Sequence, residues 1–171
     1  MPYESRRETL QIAIITPYKH FFGGVETFNK LLKNIFQKHH FEVDFITLDE
    51  AKNLKYNRLL QEVIGAPYIT SRLFERTNKT YDVVICNGEF SYGIHHPRCI
   101  NIFHGTAYGY RKYLSHYLNF KQNLFLFKES YVQKIGARNK YIIAVSNFAL
   151  IPLEAMSCGV PVNYVTMSVF K

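Results

Sequence analysis

The apolar positions along this chain change their period several times, and each change marks an element. "LQIAIIT", Leu10 to Thr16, is a continuous apolar run ended by Pro17. That is the pattern of a strand buried on both faces of a parallel sheet. In "GGVETFNKLLKNIFQKH", Val25, Phe28, Leu31, Leu32, Ile35 and Phe36 recur at helical spacing with polar residues between them, which predicts an amphipathic helix. "FEVDFITL", Phe41 to Leu48, alternates and then runs apolar, giving a second strand. Strand, helix, strand is the unit that builds parallel sheets through right-handed crossovers.

Residues 50–79 read as two helical pieces broken at Gly65-Ala66-Pro67. "YDVVICNG" (Tyr81 to Gly88) and "CINIFHGT" (Cys99 to Thr106) are further buried strands, each closing on small or polar residues. Gly109 to about Lys140 reads as two helices with a break near Leu118 to Gln122, and "KYIIAVS" (Lys140 to Ser146) as a fifth strand. Strands alternating with helices predict an α/β fold with an open, doubly wound, mostly parallel, Rossmann-like sheet. In such a sheet ligands sit beyond the C-terminal ends of the strands, so the residues just after each apolar run carry the functional information.

Composition narrows the picture a little further. The chain's 171 residues fit one domain of normal size. A formal charge of +8 suggests an anionic partner such as nucleotide phosphates, though the basic residues are spread along the chain. The densest basic stretch is "RKYLSHYLNFKQNLFLFK", Arg111 to Lys128. No aromatic-basic nucleic-acid motif accompanies it, so nucleic acid is not expected as a specific partner. "LFLFKESYVQK" has the look of a membrane-surface helix; packing against the sheet explains the same pattern and is the expected role. Cys86, Cys99 and Cys158 form no CxxC pair, which suits buried free thiols in a reducing compartment. With no apolar run of about 20 residues and no signal-peptide pattern, a cytoplasmic protein is expected.

After the first strand, Gly23 and Gly24 precede the amphipathic helix. Their small size lets another molecule approach the backbone, and a helix N-terminus favours a phosphate there. The pair is neither a GxGxxG fingerprint nor a P-loop, and a simple turn explains it equally well. Glu26 in the first helical turn suits the helix dipole. His104 stands at a strand end beside Gly105, where an imidazole faces either a ligand or neighbouring backbone. The His pairs at 39–40 and 95–96 lack metal-ligand spacing and read as surface residues.

Taken together, "GGVETFNKLL…HHFEVDFIT", "IFHGT", "IIAVSNF" and "PLEAMSCGVPV" resemble retaining glycosyltransferases of family four (glycosyl transferase group 1), which have the two-domain GT-B fold. The resemblance implies an N-terminal, acceptor-side domain over residues 1–148, joined to a remnant of the nucleotide-binding C-terminal domain over 149–171. It implies transfer of a sugar from a nucleotide-sugar donor to a saccharide, lipid-linked or small-molecule acceptor, with no metal and no cofactor beyond the donor itself. By the same resemblance, Gly23 and Gly24 approach the donor phosphate or sugar. His104 hydrogen-bonds the transferred sugar near its reacting centre, and Glu154 binds the ribose hydroxyls, a carboxylate being a good acceptor for a diol.

Two departures bear on activity. Ser146 stands where the family has the first glutamate of its nucleotide motif, and the segment carrying the diphosphate-neutralising Arg and Lys is missing between "IIAVS" and "LEAM". Stabilisation of the leaving group dominates such chemistry, so autonomous activity is not expected, and a full-length glycosyltransferase is an expected partner. The alternative is a non-catalytic remnant or binding subunit of such an enzyme.

Overall fold

The computed structural model of the chain describes residues 9–18, 23–53, 57–145 and 162–164. It is an α/β fold. The strands β1 (Gln11–Ile15), β2 (Glu42–Ile46), β3 (Val83–Asn87), β4 (Cys99–Phe103), β5 (Tyr141–Ala144) and β6 (Val162–Tyr164) form one sheet in the order β2-β1-β3-β4-β5-β6. Every neighbouring pair is parallel. The helices are α1 (Gly24–Lys38), α2 (Arg58–Ile64), α3 (Ala66–Glu75), α4 (Ala107–Leu114) and α5 (Phe120–Ala137). This is the open, doubly wound arrangement that the apolar runs predict. Val162–Tyr164, from the stretch resembling a second domain, hydrogen-bonds along β5 as a further strand of the same sheet.

Two-residue periodicity makes β1 the centre of the molecule. Ala13 and Ile15 pack on one side with Val84, Cys86 and Phe90, against which Ala66, Leu73 and Phe74 of α3 lie. Ile12 and Ile14 pack on the other with Ile85 and Ile102, covered by Phe28, Leu32 and Phe36 of α1. Burying each such isoleucine is worth about 1.5–3 kcal/mol, so the uninterrupted apolar run is what a two-sided strand requires. Cys86 and Cys99 are free and buried side by side, with Sγ atoms 3.7 Å apart.

Local sequence sets the element ends. The break expected near Leu118 to Gln122 is a capping box. Asn119 accepts from the Gln122 N–H at 2.9 Å, and Gln122 Oε1 accepts from the Asn119 N–H at 2.9 Å. Gly65, at φ 75°, supplies the left-handed turn between α2 and α3. His40 takes φ 62° just past the end of α1, on the exposed surface. His96 accepts from the Arg98 N–H at 3.2 Å and bonds the Tyr81 carbonyl at 2.9 Å.

Helix α5 packs tightly against the Gly88–Ser91 turn at Gly136. A Cβ there would lie 2.6 Å from Ser91 Oγ and 3.0 Å from the Tyr92 backbone nitrogen. Ser91 in turn accepts from Asn101 Nδ2 at 2.6 Å, inside a buried turn (Gly88–Ser91) that caps β3. Gly136→Ala is therefore expected to destabilise by about 1–3 kcal/mol through overpacking. Gly24→Ala, where an added Cβ meets nothing within 4 Å, should cost no stability. Urea unfolding of the two variants beside the parent chain measures both.

Candidate active site

The sheet reverses its winding between β1 and β3: β2 lies to one side of β1, and β3, β4 and β5 follow on the other. At such a switch point the loops part and leave a crevice beyond the strand ends. A cleft of about 360 Å³ opens there, lined by Pro17 after β1, Val25 and Glu26 of α1, Asn87 at the end of β3 and His104 after β4. Phe125, Glu129 and Gln133 of α5 close its far side.

His104 is held by a buried polar relay. Asn29 Nδ2 donates to Thr16 Oγ1 at 3.1 Å, and Asn87 Nδ2 donates to Asn29 Oδ1 at 3.1 Å. Asn87 therefore turns its carbonyl oxygen to His104 Nε2, 3.3 Å away. An oxygen only accepts, so Nε2 carries the proton and Nδ1 of the neutral ring keeps its lone pair. The edge of the Phe28 ring meets the imidazole at a centroid distance of 5.0 Å and an angle of 79°. Burial lowers the His104 pKa below its ordinary 6.5, while the negative charge of Glu26 opposes that shift. At neutral pH the imidazole is uncharged.

The remaining polar walls are carboxylates and an amide. Gln133 joins two elements, accepting from the Ala107 N–H at 2.9 Å and donating to Glu89 Oε2 at 3.0 Å. Burial raises the Glu89 pKa, the hydrogen bond from Gln133 pulls it down, and nearby Glu129 adds to the rise. Glu129 itself pairs with Lys128 at 3.1 Å. Glu26, Glu89 and Glu129 thus face a cleft that no Lys or Arg among the described residues lines. This differs from the anionic partner suggested by the chain's net charge: the positive charge lies outside the crevice. Carboxylates and a neutral imidazole accept hydrogen bonds from hydroxyl or amine donors, and the carboxylates repel phosphate.

The sequence-predicted residues divide into three groups. His104 lies in the cleft at the end of β4. Gly23 is the N-cap of α1 and Gly24 its first residue, with open space beside it; the adjoining Val25 and Glu26, not the glycines, line the cleft. Glu154 and Ser146 lie outside the described residues. Glu26 does more than complement the helix dipole, since it is buried beside His104. Sequence reasoning passed over Asn29, Asn87, Glu89, Glu129 and Gln133. A signal existed for Asn29, a polar residue inside the apolar face formed by Val25, Phe28 and Leu32.

No protein family, curated protein or solved structure matches this chain.

The electrostatics can be measured directly. In a nitrogen-resolved NMR titration, His104 should show the Nε2–H tautomer and a pKa below 6.5, falling further in Glu26→Gln because the opposing charge is gone. Folding stability carried by the neutral ring is complete above the unfolded value and drains away as pH falls through the depressed folded pKa. Glu89 has the opposite sign: its raised pKa means that ionisation costs stability as pH rises past 4.5. Glu89→Gln should accordingly raise Tm at neutral pH and have little effect near pH 4, as read by calorimetry at the two pH values.

Proposed function

We propose that this chain is the acceptor-side part of a glycosyltransferase. In this reading, a sugar passes from a nucleotide-sugar donor to an acceptor hydroxyl with its anomeric configuration retained. The observation that carries the reading is the chemistry of the cleft at the switch point. His104 is neutral, fixed by Asn87 and surrounded by hydrogen-bond acceptors. The resemblance of "IFHGT" to a family-four motif sets a histidine at the same strand end.

In the reaction, the bond between the anomeric carbon and the diphosphate oxygen breaks, and one between that carbon and the acceptor oxygen forms. The acceptor's proton leaves with the nucleoside diphosphate. His104 accepts a hydroxyl of the transferred sugar at Nδ1, and the carboxylates of Glu26, Glu89 and Glu129 take up hydroxyls of the acceptor. The diphosphate needs cations that the described part of the cleft does not contribute. They come from a second polypeptide or domain facing the strand ends, and Glu154 holds the ribose.

That same lack of cations favours the second reading, a saccharide-binding subunit without catalysis of its own. The two readings diverge in one assay. The protein, alone and mixed with a full-length family-four glycosyltransferase, is incubated with a panel of nucleotide sugars and saccharides while nucleoside diphosphate release is followed. Release above background that drops at least about tenfold in His104→Ala supports transfer, since a lost charge-independent hydrogen bond at a reacting centre costs on that order. Gly24→Ala should leave stability intact while weakening turnover if the donor packs on the α1 N-terminus. Saccharide binding with no release in any mixture supports the binding subunit.

A further inference from the structure

Among the described residues a run of large exposed apolar side chains lies on the α4–α5 pair. Phe120, Leu124, Phe127 and Tyr131 recur at helical spacing along α5, which sets all four on one stripe. Each is more than half exposed, Phe120 at 81%, and Tyr117 just before the helix reaches 85%. The buried residues of α5 are instead Val132, Gln133, Gly136 and Ala137. The expected packing of this helix against the sheet therefore holds only for its C-terminal half. Its N-terminal half presents large apolar side chains to solvent, well beyond the isolated exposed residue that any surface carries.

Charge specifies what covers the stripe. From Ala107 to Phe127 the chain carries Arg111, Lys112 and Lys121 and no carboxylate, and Lys128, which follows, pairs with Glu129 at 3.1 Å. Lys121 and Lys128 border the apolar stripe on one side, seven residues apart. Arg111 lies 5.1 Å from the centre of the Phe127 ring, and Lys128 lies 5.0 Å from that of Phe125. A protein interface core is depleted in lysine. Aromatic and leucine side chains flanked by lysine and arginine match the boundary of an anionic bilayer instead: the rings enter the acyl edge while the cations meet lipid phosphates. No helix among the described residues is long and apolar enough to cross a membrane, so the contact is one of lying on the surface.

We propose that the N-terminal half of α5, with the basic residues of α4, is a docking surface for an anionic lipid bilayer. The occupant is the membrane, and the same helix supplies Phe125, Leu126 and Glu129 to the cleft. The docking itself does not depend on the glycosyltransferase reading and is tested without any sugar.

The experiment is co-sedimentation of the full chain with vesicles of phosphatidylcholine alone and of phosphatidylcholine mixed with phosphatidylglycerol. Binding to the mixed vesicles is expected, with little to the neutral ones. Phe120→Glu with Phe127→Glu should lower partitioning at least about tenfold, and Lys112→Gln with Lys121→Gln should lower it less. These side chains are exposed, so far-ultraviolet circular dichroism should match the parent chain. No binding to either vesicle, equal binding to both, or unchanged binding by the double glutamate variant overturns the proposal. So does a lipid-free dimer, seen by light scattering, that the glutamate variant dissociates, because the occupant is then a second copy of the chain.

Discussion

The buried line of hydrogen bonds from Thr16 through Asn29 and Asn87 to His104 is the constraint on which the site depends. It joins the end of β1, the middle of α1, the end of β3 and the turn after β4. Thr16, Asn29 and Asn87 are all buried, and a buried polar group left without its partner costs about 1–3 kcal/mol. Each link therefore holds the next in a single orientation. The outcome is an imidazole whose tautomer is set by a side chain two elements away and whose charge is set by burial.

The relay also explains why the crevice survives in so small a fold. Apolar packing alone would draw α1 toward the strand ends, as it does lower down, where Phe28, Leu32 and Phe36 cover Ile12 and Ile14. At the level of Asn29 the helix meets the sheet through amides, which demand fixed distances. On the far side Gln133 performs the same office for α5, spanning from the first residue of α4 to Glu89. Two amides thus hold the walls apart, with Glu26 buried between them.

Much of the architecture was legible because parallel strands buried on both faces write themselves as unbroken apolar runs, and those runs are β1, β3, β4 and β5, while the alternating β2 lies at the sheet edge. The break before α5 was equally legible, since its polar cluster is a capping box. The site was legible only at His104. Asn29 carries a signal, a polar residue on an apolar helix face, but Glu89 and Gln133 lie among polar neighbours and look like surface until the packing is known. Next to the glycine pair, Val25 and Glu26 line the cleft, while the space beside Gly24 is open. Likewise, net charge summed over the chain says nothing about its placement, and here the cations and the cleft occupy different parts of the molecule.

That separation has a consequence in ionic strength. Exposed cations such as Lys121 are screened over about 8–10 Å at physiological salt, whereas partly buried charges are screened far less. Adding salt therefore weakens whatever the outer basic face attracts and leaves the cleft's own selectivity nearly untouched. The outer basic face and the cleft therefore respond differently to the medium, without any movement of the backbone.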